Sequence, residues 1–129
     1  MLIESVYTSV LTLNHLRFPS DDEEPCCFFE TIPLHVFEDG KYTFLINTTM
    51  FLIINLYHNE FNARKENYND NRLLRHYGGC EAGSLEFTFY LWSGETYVLV
   101  PISIDDKVPL PFSLIITGPG SVTFSRLCK

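Results

Sequence analysis

Several residue types that carry out chemistry are present, but their spacing matches no catalytic or metal-binding motif. The four histidines are His15, His35, His58 and His76. None of them has a partner at the spacing of metal ligands. Asp105 and Asp106, or the loop around Asp70, could offer oxygen ligands to calcium, but the loop pattern D-x-[DN]-x-[DN]-G is absent. The sequence also lacks G-x-S-x-G, a glycine-rich phosphate loop and H-E-x-x-H. We therefore predict no enzymatic activity, no metal site and no cofactor.

The cysteines could form disulfide bonds. They are Cys26, Cys27, Cys80 and Cys128. No C-x-x-C spacing occurs, which disfavours zinc and redox sites. A bond between the neighbours Cys26 and Cys27 is sterically awkward, and on a strand their side chains would point to opposite faces. We predict that these two are bonded to Cys80 and Cys128, in either order. The alternative is four reduced thiols in a cytosolic protein.

Aromatic side chains outside the apolar pattern could bind sugars, because aromatic rings stack on sugar rings. The chain has 19 aromatic residues: 11 Phe, 7 Tyr and 1 Trp. Those that fall on loops or on the polar side of strands are Tyr57, Phe61, Tyr68, Tyr77, Tyr90 and Trp92. The alternative is that they cover both faces of strands in an aromatic-rich sandwich. Carbohydrate binding is therefore one of the functions to weigh.

Asn47-Thr48-Thr49 matches the N-x-[ST] acceptor pattern for N-linked glycans. A match by chance is common in a chain with eight asparagines. This one falls at the end of a predicted strand, where a glycan would reach solvent. We predict Asn47 as the glycosylation site.

Composition and charge exclude several classes of protein. With 129 residues, the chain has the length of one domain. It is 46% hydrophobic and 19% charged, which is typical of a folded domain. The net charge of −7 disfavours binding to nucleic acid or to an anionic membrane. The longest apolar run, residues 50–54, is too short to span a bilayer. Residues 1–4 lack the basic and apolar regions of a signal peptide, so one was removed, the chain is a module of a longer protein, or the protein is cytosolic.

Alternation of apolar and polar residues with period two dominates the chain and is interrupted by turn residues every eight to twelve positions. Such alternation indicates eight or nine short strands, so we predict an all-β antiparallel sandwich or jelly roll. Glu38-Asp39-Gly40 is expected to form a hairpin turn. Pro33 and Pro101 are expected at bulges or sheet edges, because proline has no N–H to donate to a neighbouring strand. The predicted core is Phe28, Ile32, Leu34, Tyr42, Phe44, Leu52, Ile54, Leu56, Leu85, Phe87, Phe89, Leu99, Phe112, Leu114 and Ile116.

The first 18 residues form a predicted strand that is set apart from the rest. Residues 19–25 contain four consecutive carboxylates between two prolines, and residues 26–129 form the predicted sandwich. Repulsion among the carboxylates favours an extended linker. The strand could therefore pair within its own sheet, or add to the sheet of a neighbouring copy and build a filament. Its candidate contact residues are Val6, Val10, Leu11, Leu13 and Leu16.

The order of several segments resembles a known family. They are F-F-E-T-I-P-L-H-V, G-K-Y-T-F, L-Y-H-N-E-F-N, L-W-S-G-E-T-Y-V-L-V and P-F-S-L-I-I-T-G-P-G-S-V-T-F. The string looks like the extracellular tandem-repeat β-sandwich module of eukaryotic surface proteins, which is distantly similar to the bacterial pre-peptidase C-terminal domain. The loop before Gly78-Gly79 reads R-L-L-R-H-Y where the family has several aspartates, so calcium binding does not follow from the resemblance.

The resemblance implies a non-catalytic extracellular module that takes part in adhesion or in building surface structures. We accordingly predict a structural module that self-assembles with other copies by strand exchange. The first alternative is a carbohydrate-binding adhesion module, and the second is a cytosolic interaction domain.

Overall fold

The computed structural model describes residues 2–12, 16–18, 27–48, 52–59, 72–78, 84–103 and 109–125. These residues contain strands and turns, and no helix. The strands are β1 (Ile3–Leu11), β2 (Leu16–Phe18), β3 (Cys27–Phe29), β4 (Ile32–Val36), β5 (Gly40–Thr48), β6 (Leu52–His58), β7 (Arg72–Gly78), β8 (Ser84–Leu91), β9 (Thr96–Ser103), β10 (Leu110–Gly118) and β11 (Val122–Phe124).

The strands form two antiparallel sheets. The four-stranded sheet has the order β1-β10-β5-β8. In the seven-stranded sheet, β9 is central: it pairs with β6 on one side, and with β3 and β4 in succession on the other. β7 extends this sheet beyond β6, while β2 and β11 extend it beyond β3 and β4. The predicted all-β sandwich is confirmed.

The pairing order is that of a jelly roll. When β3 and β4 are counted as one strand and the short β2 and β11 are set aside, eight strands remain. Numbered 1 to 8 in chain order, these are β1, β3 with β4, β5, β6, β7, β8, β9 and β10. Their orders in the two sheets are then 1-8-3-6 and 2-7-4-5, which is the eight-stranded double Greek key. Most connections therefore cross from one sheet to the other, so turns from both sheets meet at the same end of the molecule.

Pro101 explains why β3 and β4 are separate. Phe29 pairs with Ile102 and Ile32 pairs with Leu99, so the register is the same on both sides of the break. The backbone N–H of Glu30 donates to the carbonyl of Pro101 at 3.3 Å, but Pro101 has no N–H to return the bond. Pro101 thus lies in the central strand and interrupts its neighbour, rather than marking a bulge or a sheet edge as expected. Pro33 also lies between two strands, β9 and β11.

The predicted hairpin at Glu38-Asp39-Gly40 is wrong. The turn joins β4, which pairs with β9 and β11, to β5, which pairs with β10 and β8. Turn residues between two alternating segments predict a reversal of the chain, but not which sheet the second strand joins. That choice is made by the pairing partners, which are far away in sequence.

The main core lies between the sheets. Of the fifteen predicted core residues, thirteen are buried, and Phe87 and Phe89 on the edge strand β8 are half-buried against the core. A second buried cluster lies on the opposite face of the seven-stranded sheet. It consists of Phe29, Ile53, Tyr57, Val98, Val100 and Ile102. β6 and β9 are therefore apolar on both faces.

The N-terminal residues contribute one strand to each sheet. β1 is the edge of the four-stranded sheet and pairs with β10 from Ile3 to Leu11. β2 pairs with β3, and Phe18 lies opposite Cys27. Phe18 and Cys27, which stand on either side of the acidic segment in sequence, are therefore neighbours on one sheet. The predicted linker itself, residues 19–25, lies outside the described residues.

Side chains from β1 also bond the other sheet. Glu30 at the β3–β4 break accepts hydrogen bonds from the hydroxyl of Tyr7 and, at 2.6 Å, from the hydroxyl of Ser9. The backbone N–H of Val122 donates to the Ser5 hydroxyl at 3.0 Å. The inward face of β1 is thus tied to the seven-stranded sheet by polar as well as apolar contacts.

Candidate functional site

The candidate site lies at the end of the sandwich where the β4–β5 turn meets the β8–β9 turn. The backbone N–H of Ser93 donates to Asp39 Oδ1 at 2.6 Å, and the N–H of Gly94 donates to the carbonyl of Val36 at 3.2 Å. Gly94 has φ = 80°, a left-handed conformation that glycine adopts without steric cost. These contacts hold the two turns together and place the residues around them in a defined arrangement.

Tyr90 and Trp92 form an exposed aromatic pair at this end. Their ring centroids lie 4.7 Å apart, and the ring planes meet at 52°. The side chains are 43% and 55% exposed. The backbone N–H of Trp92 donates to the Tyr97 hydroxyl at 3.0 Å, and Tyr97 is buried. The pair thus presents apolar surface to solvent from a backbone that is anchored in the core.

Two charged groups flank the aromatic pair. Lys41 on β5 lies directly opposite Tyr90 on β8, and both are exposed on the outer face of the four-stranded sheet. Side chains at opposite positions of an antiparallel pair start about 5 Å apart. Asp39 bonds the residue that follows Trp92. A hydrogen-bond donor and an acceptor therefore lie beside the exposed rings, both on the β5 side of the pair.

Asp39 stays ionised over a wider pH range than an ordinary aspartate. The hydrogen bonds from Ser93, first from its backbone and then from its side chain, lower the pKa of Asp39 below its usual value. A carboxylate acts only as an acceptor when ionised. Asp39 is thus an acceptor for hydroxyl groups at neutral and mildly acidic pH.

Trp92, one of the predicted sugar-stacking residues, is exposed, and Tyr90 is exposed with it. Tyr57 is wrong as a stacking residue. Its ring is fully buried in the second apolar cluster, and its hydroxyl accepts a hydrogen bond from Asn55 Nδ2 at 2.9 Å. Both faces of β6 are covered, so Tyr57 has no open face on which a sugar could stack. Phe61, Tyr68 and the side chain of Tyr77 lie outside the described residues.

Sequence reasoning did not single out Asp39, Lys41 or Phe37. Phe37 lies in the β4–β5 turn and is 60% exposed, more than either member of the aromatic pair. A signal was present, since an exposed phenylalanine next to a turn departs from the apolar pattern. Phe37 belongs to the candidate site only because the β8–β9 turn lies nearby, and that turn is more than 50 positions away in sequence.

The remaining predicted sites are only partly described. Asn47 is exposed on the outer face of β5, one residue before the strand ends. Cys26, Cys80 and Cys128 lie outside the described residues, as does the side chain of Cys27. Leu13 and the side chain of Leu16 lie outside them as well.

The other self-assembly candidates, on β1, point in different directions. Leu11 is buried in the core, whereas Val6 and Val10 are exposed on the outer face. In the chain's own sheet these residues face opposite sides, because alternate residues of a strand do so. Their entry into a neighbour's groove stays a prediction.

Among the described ranges, no group of three or more His, Cys, Asp or Glu side chains is placed to hold a metal ion. The contact between His58 Nε2 and Glu95 Oε2, at 3.6 Å, is exposed on both sides. What the arrangement around Trp92 can do is bind a ligand that offers both an apolar face and hydroxyl groups.

Comparison with known proteins adds no relative. No family model matches the chain, and no curated protein or solved structure matches it with statistical significance. Within the part of the chain that the structure describes, no helix is long and apolar enough to cross a membrane.

Proposed function

We propose that the protein is a non-catalytic extracellular adhesion module that binds carbohydrate at Tyr90 and Trp92. The observation that carries the proposal is the exposed, tilted aromatic pair flanked by Lys41 and Asp39. Sugars combine an apolar C–H face with hydroxyl groups that both donate and accept hydrogen bonds. A sugar-binding site therefore needs an aromatic surface for the C–H face, and paired donors and acceptors for the hydroxyl groups.

The rigidity of the turns supports this assignment. Binding loses less free energy when the contacting side chains are already held in place. Trp92 is anchored through Tyr97, and Asp39 is held by Ser93. The tilt of 52° between the rings gives a corner rather than a flat platform. A corner suits a twisted or branched oligosaccharide better than the flat surface of a crystalline polymer.

Trp92 makes the proposal simple to test, because it is the only tryptophan in the chain. Titration of the native protein with glycans from an array screen should change its intrinsic fluorescence. Trp92→Ala and Tyr90→Ala should each weaken binding about tenfold or more, measured by calorimetry. Leu73→Ala is the matched control, because Leu73 is an exposed apolar residue on the other sheet. Failure of every glycan to bind, or equal binding by Trp92→Ala, would refute the proposal.

A second candidate is the self-assembling structural module that exchanges strands between copies. The observation that favours it is the position of β1 at a sheet edge, where its backbone pairs with β10 over nine residues. An exchanged β1 would make the same contacts in a neighbour's sheet, so exchange changes mainly the connection between β1 and β2. A synthetic peptide of residues 1–18 should then cap growing assemblies. Assemblies that grow equally well with the peptide present would exclude strand exchange.

The extracellular location is part of the proposal and has its own test. Non-reducing mass spectrometry of the native material should find Cys26 and Cys27 bonded to Cys80 and Cys128, and a glycan on Asn47. Thiols that all react with an alkylating agent without reductant, in a protein without a glycan, would instead favour the cytosolic alternative.

A further inference from the structure

The outer edge of β1 lacks the features that keep sheet edges from pairing. Exposed edges are usually protected by charges, proline, bulges or short length. The edge strands of the seven-stranded sheet have such protection. β7 carries Arg72 and Arg75 and has a shift of register against β6, whereas β2 and β11 are short, with three residues each. β1 has nine residues, pairs with β10 without a register shift, and contains one charge, Glu4. Within the described ranges no strand pairs with its outer edge.

β1 also exposes apolar side chains beside this edge. Leu2, Val6 and Val10 are all exposed, and Val6 is 57% exposed. Val6 lies opposite Ile115 on β10, and Ile115 lies opposite Leu45 on β5. An apolar row thus runs from β5 across β10 to β1 on the outer face of the four-stranded sheet and ends at this edge.

The sequence of β1 is complementary to itself in one antiparallel register. If Val6 lies opposite Val6 of a second copy, Leu2 lies opposite Val10 and Glu4 lies opposite Thr8. All outward apolar residues then face apolar residues. Shifts of two residues place Glu4 opposite Val6 or Val10, and a shift of four in one direction places Glu4 opposite Glu4. Like charges at opposite positions destabilise a strand pair.

We propose that β1 pairs with β1 of a second copy of this chain in that register, forming a symmetric dimer with one continuous eight-stranded sheet. The apolar row then runs unbroken through Val6 of both copies. The contact is isologous, so it closes after two copies and does not grow into a filament. It uses the outer edge of β1, with which no described strand pairs.

The dimer has a consequence for adhesion, and this consequence rests on the carbohydrate site proposed above. A two-fold axis perpendicular to the sheet leaves both outer faces on the same side. The two β8 strands then lie at opposite edges, seven strand spacings or about 34 Å apart. Both Tyr90–Trp92 pairs would face one surface, so a glycan-coated surface would be bound through two sites at once.

Sedimentation equilibrium of the full chain tests the dimer without any glycan. The mass should rise with concentration from 14.9 kDa toward twice that value. Val6→Lys places two lysines opposite each other at the axis and should weaken the dimer about tenfold or more. Thr8→Lys places a lysine opposite Glu4 twice in the dimer and should tighten it about threefold. Thr88→Lys, exposed on the opposite edge strand, adds the same charge and should change nothing.

These variants give results in opposite directions, so a folding defect cannot mimic the expected pattern. The proposal is overturned if the native chain stays monomeric up to about 1 mM. It is also overturned if Val6→Lys associates as strongly as the native chain, which would point to strand exchange or another face. A dimer that forms as expected but binds no glycan would refute the carbohydrate proposal alone.

Discussion

Phe44 provides the most direct test of how the sandwich is stabilised. Its ring is fully buried between the sheets and stacks on Phe87 with centroids 4.7 Å apart and planes at 10°. Truncation of a buried phenylalanine to alanine costs about 3–5 kcal/mol, because transfer energy is lost and a cavity remains. The stacked contact adds about 0.5–1.5 kcal/mol, part of which is already included in that range. We expect Phe44→Ala to lower the free energy of unfolding by about 4 kcal/mol.

The expected shift in melting temperature follows from the size of the chain. Unfolding entropy near the transition is about 2.1 cal/mol/K per residue, or roughly 0.27 kcal/mol/K for 129 residues. A loss of about 4 kcal/mol therefore lowers Tm by about 15 °C. Calorimetry or circular dichroism of the strand signal measures this directly, and urea unfolding gives the free energy independently.

Phe37→Ala is the matched control. It removes the same atoms from a ring that is 60% exposed, so stability should change by no more than about 0.5 kcal/mol. Equal destabilisation by the two variants would contradict the assignment of Phe44 to the core and of Phe37 to the surface. A change below about 1 kcal/mol in Phe44→Ala would do the same.

Three further predictions concern the turn end and its supporting residues. Gly118→Ala should lower Tm by several degrees in a thermal scan, because a Cβ atom there would overlap the buried ring of Tyr42; a variant as stable as the native chain would show that the ring can move aside. Burial, followed by the negative charge of Glu38, raises the pKa of Tyr42 above its usual value. The stability from keeping this hydroxyl neutral is fully present below the ordinary pKa of 10.0 and is lost as pH rises through the raised value, so alkaline titration should show weakening that Tyr42→Phe lacks. The pKa of Asp39 is lowered, so its effect on stability changes with pH in the opposite direction. Its bond to Ser93 contributes stability above the ordinary pKa of 3.8, and this contribution is lost as pH falls through the lowered value. NMR of the Ser93 amide should detect the titration, and Asp39→Asn should remove it.

Local pattern was sufficient to predict most of the strands and the core. Residues 85–91 alternate strictly, and the structure has β8 over Ser84–Leu91 with its apolar side chains directed inward. The position of Trp92 outside the pattern was also visible. The partners of these residues were not visible in the local pattern. Lys41 lies beside Tyr90 only because β5 pairs with β8. Asp39 meets Ser93 only because two inter-sheet turns lie at the same end of the sandwich.

Sequence by itself determined the class of fold, because period-two alternation buries one face of each strand whatever its neighbours are. It also determined the negative charge and the surplus of aromatic residues. Only the tertiary structure decided which sheet each strand joins, that the β4–β5 and β8–β9 turns meet, and that β1 is an edge with apolar side chains beside it. The physical reason is that strand pairing satisfies backbone hydrogen bonds with partners from anywhere in the chain. The closeness of one turn to another depends on that choice of partner and on no local pattern.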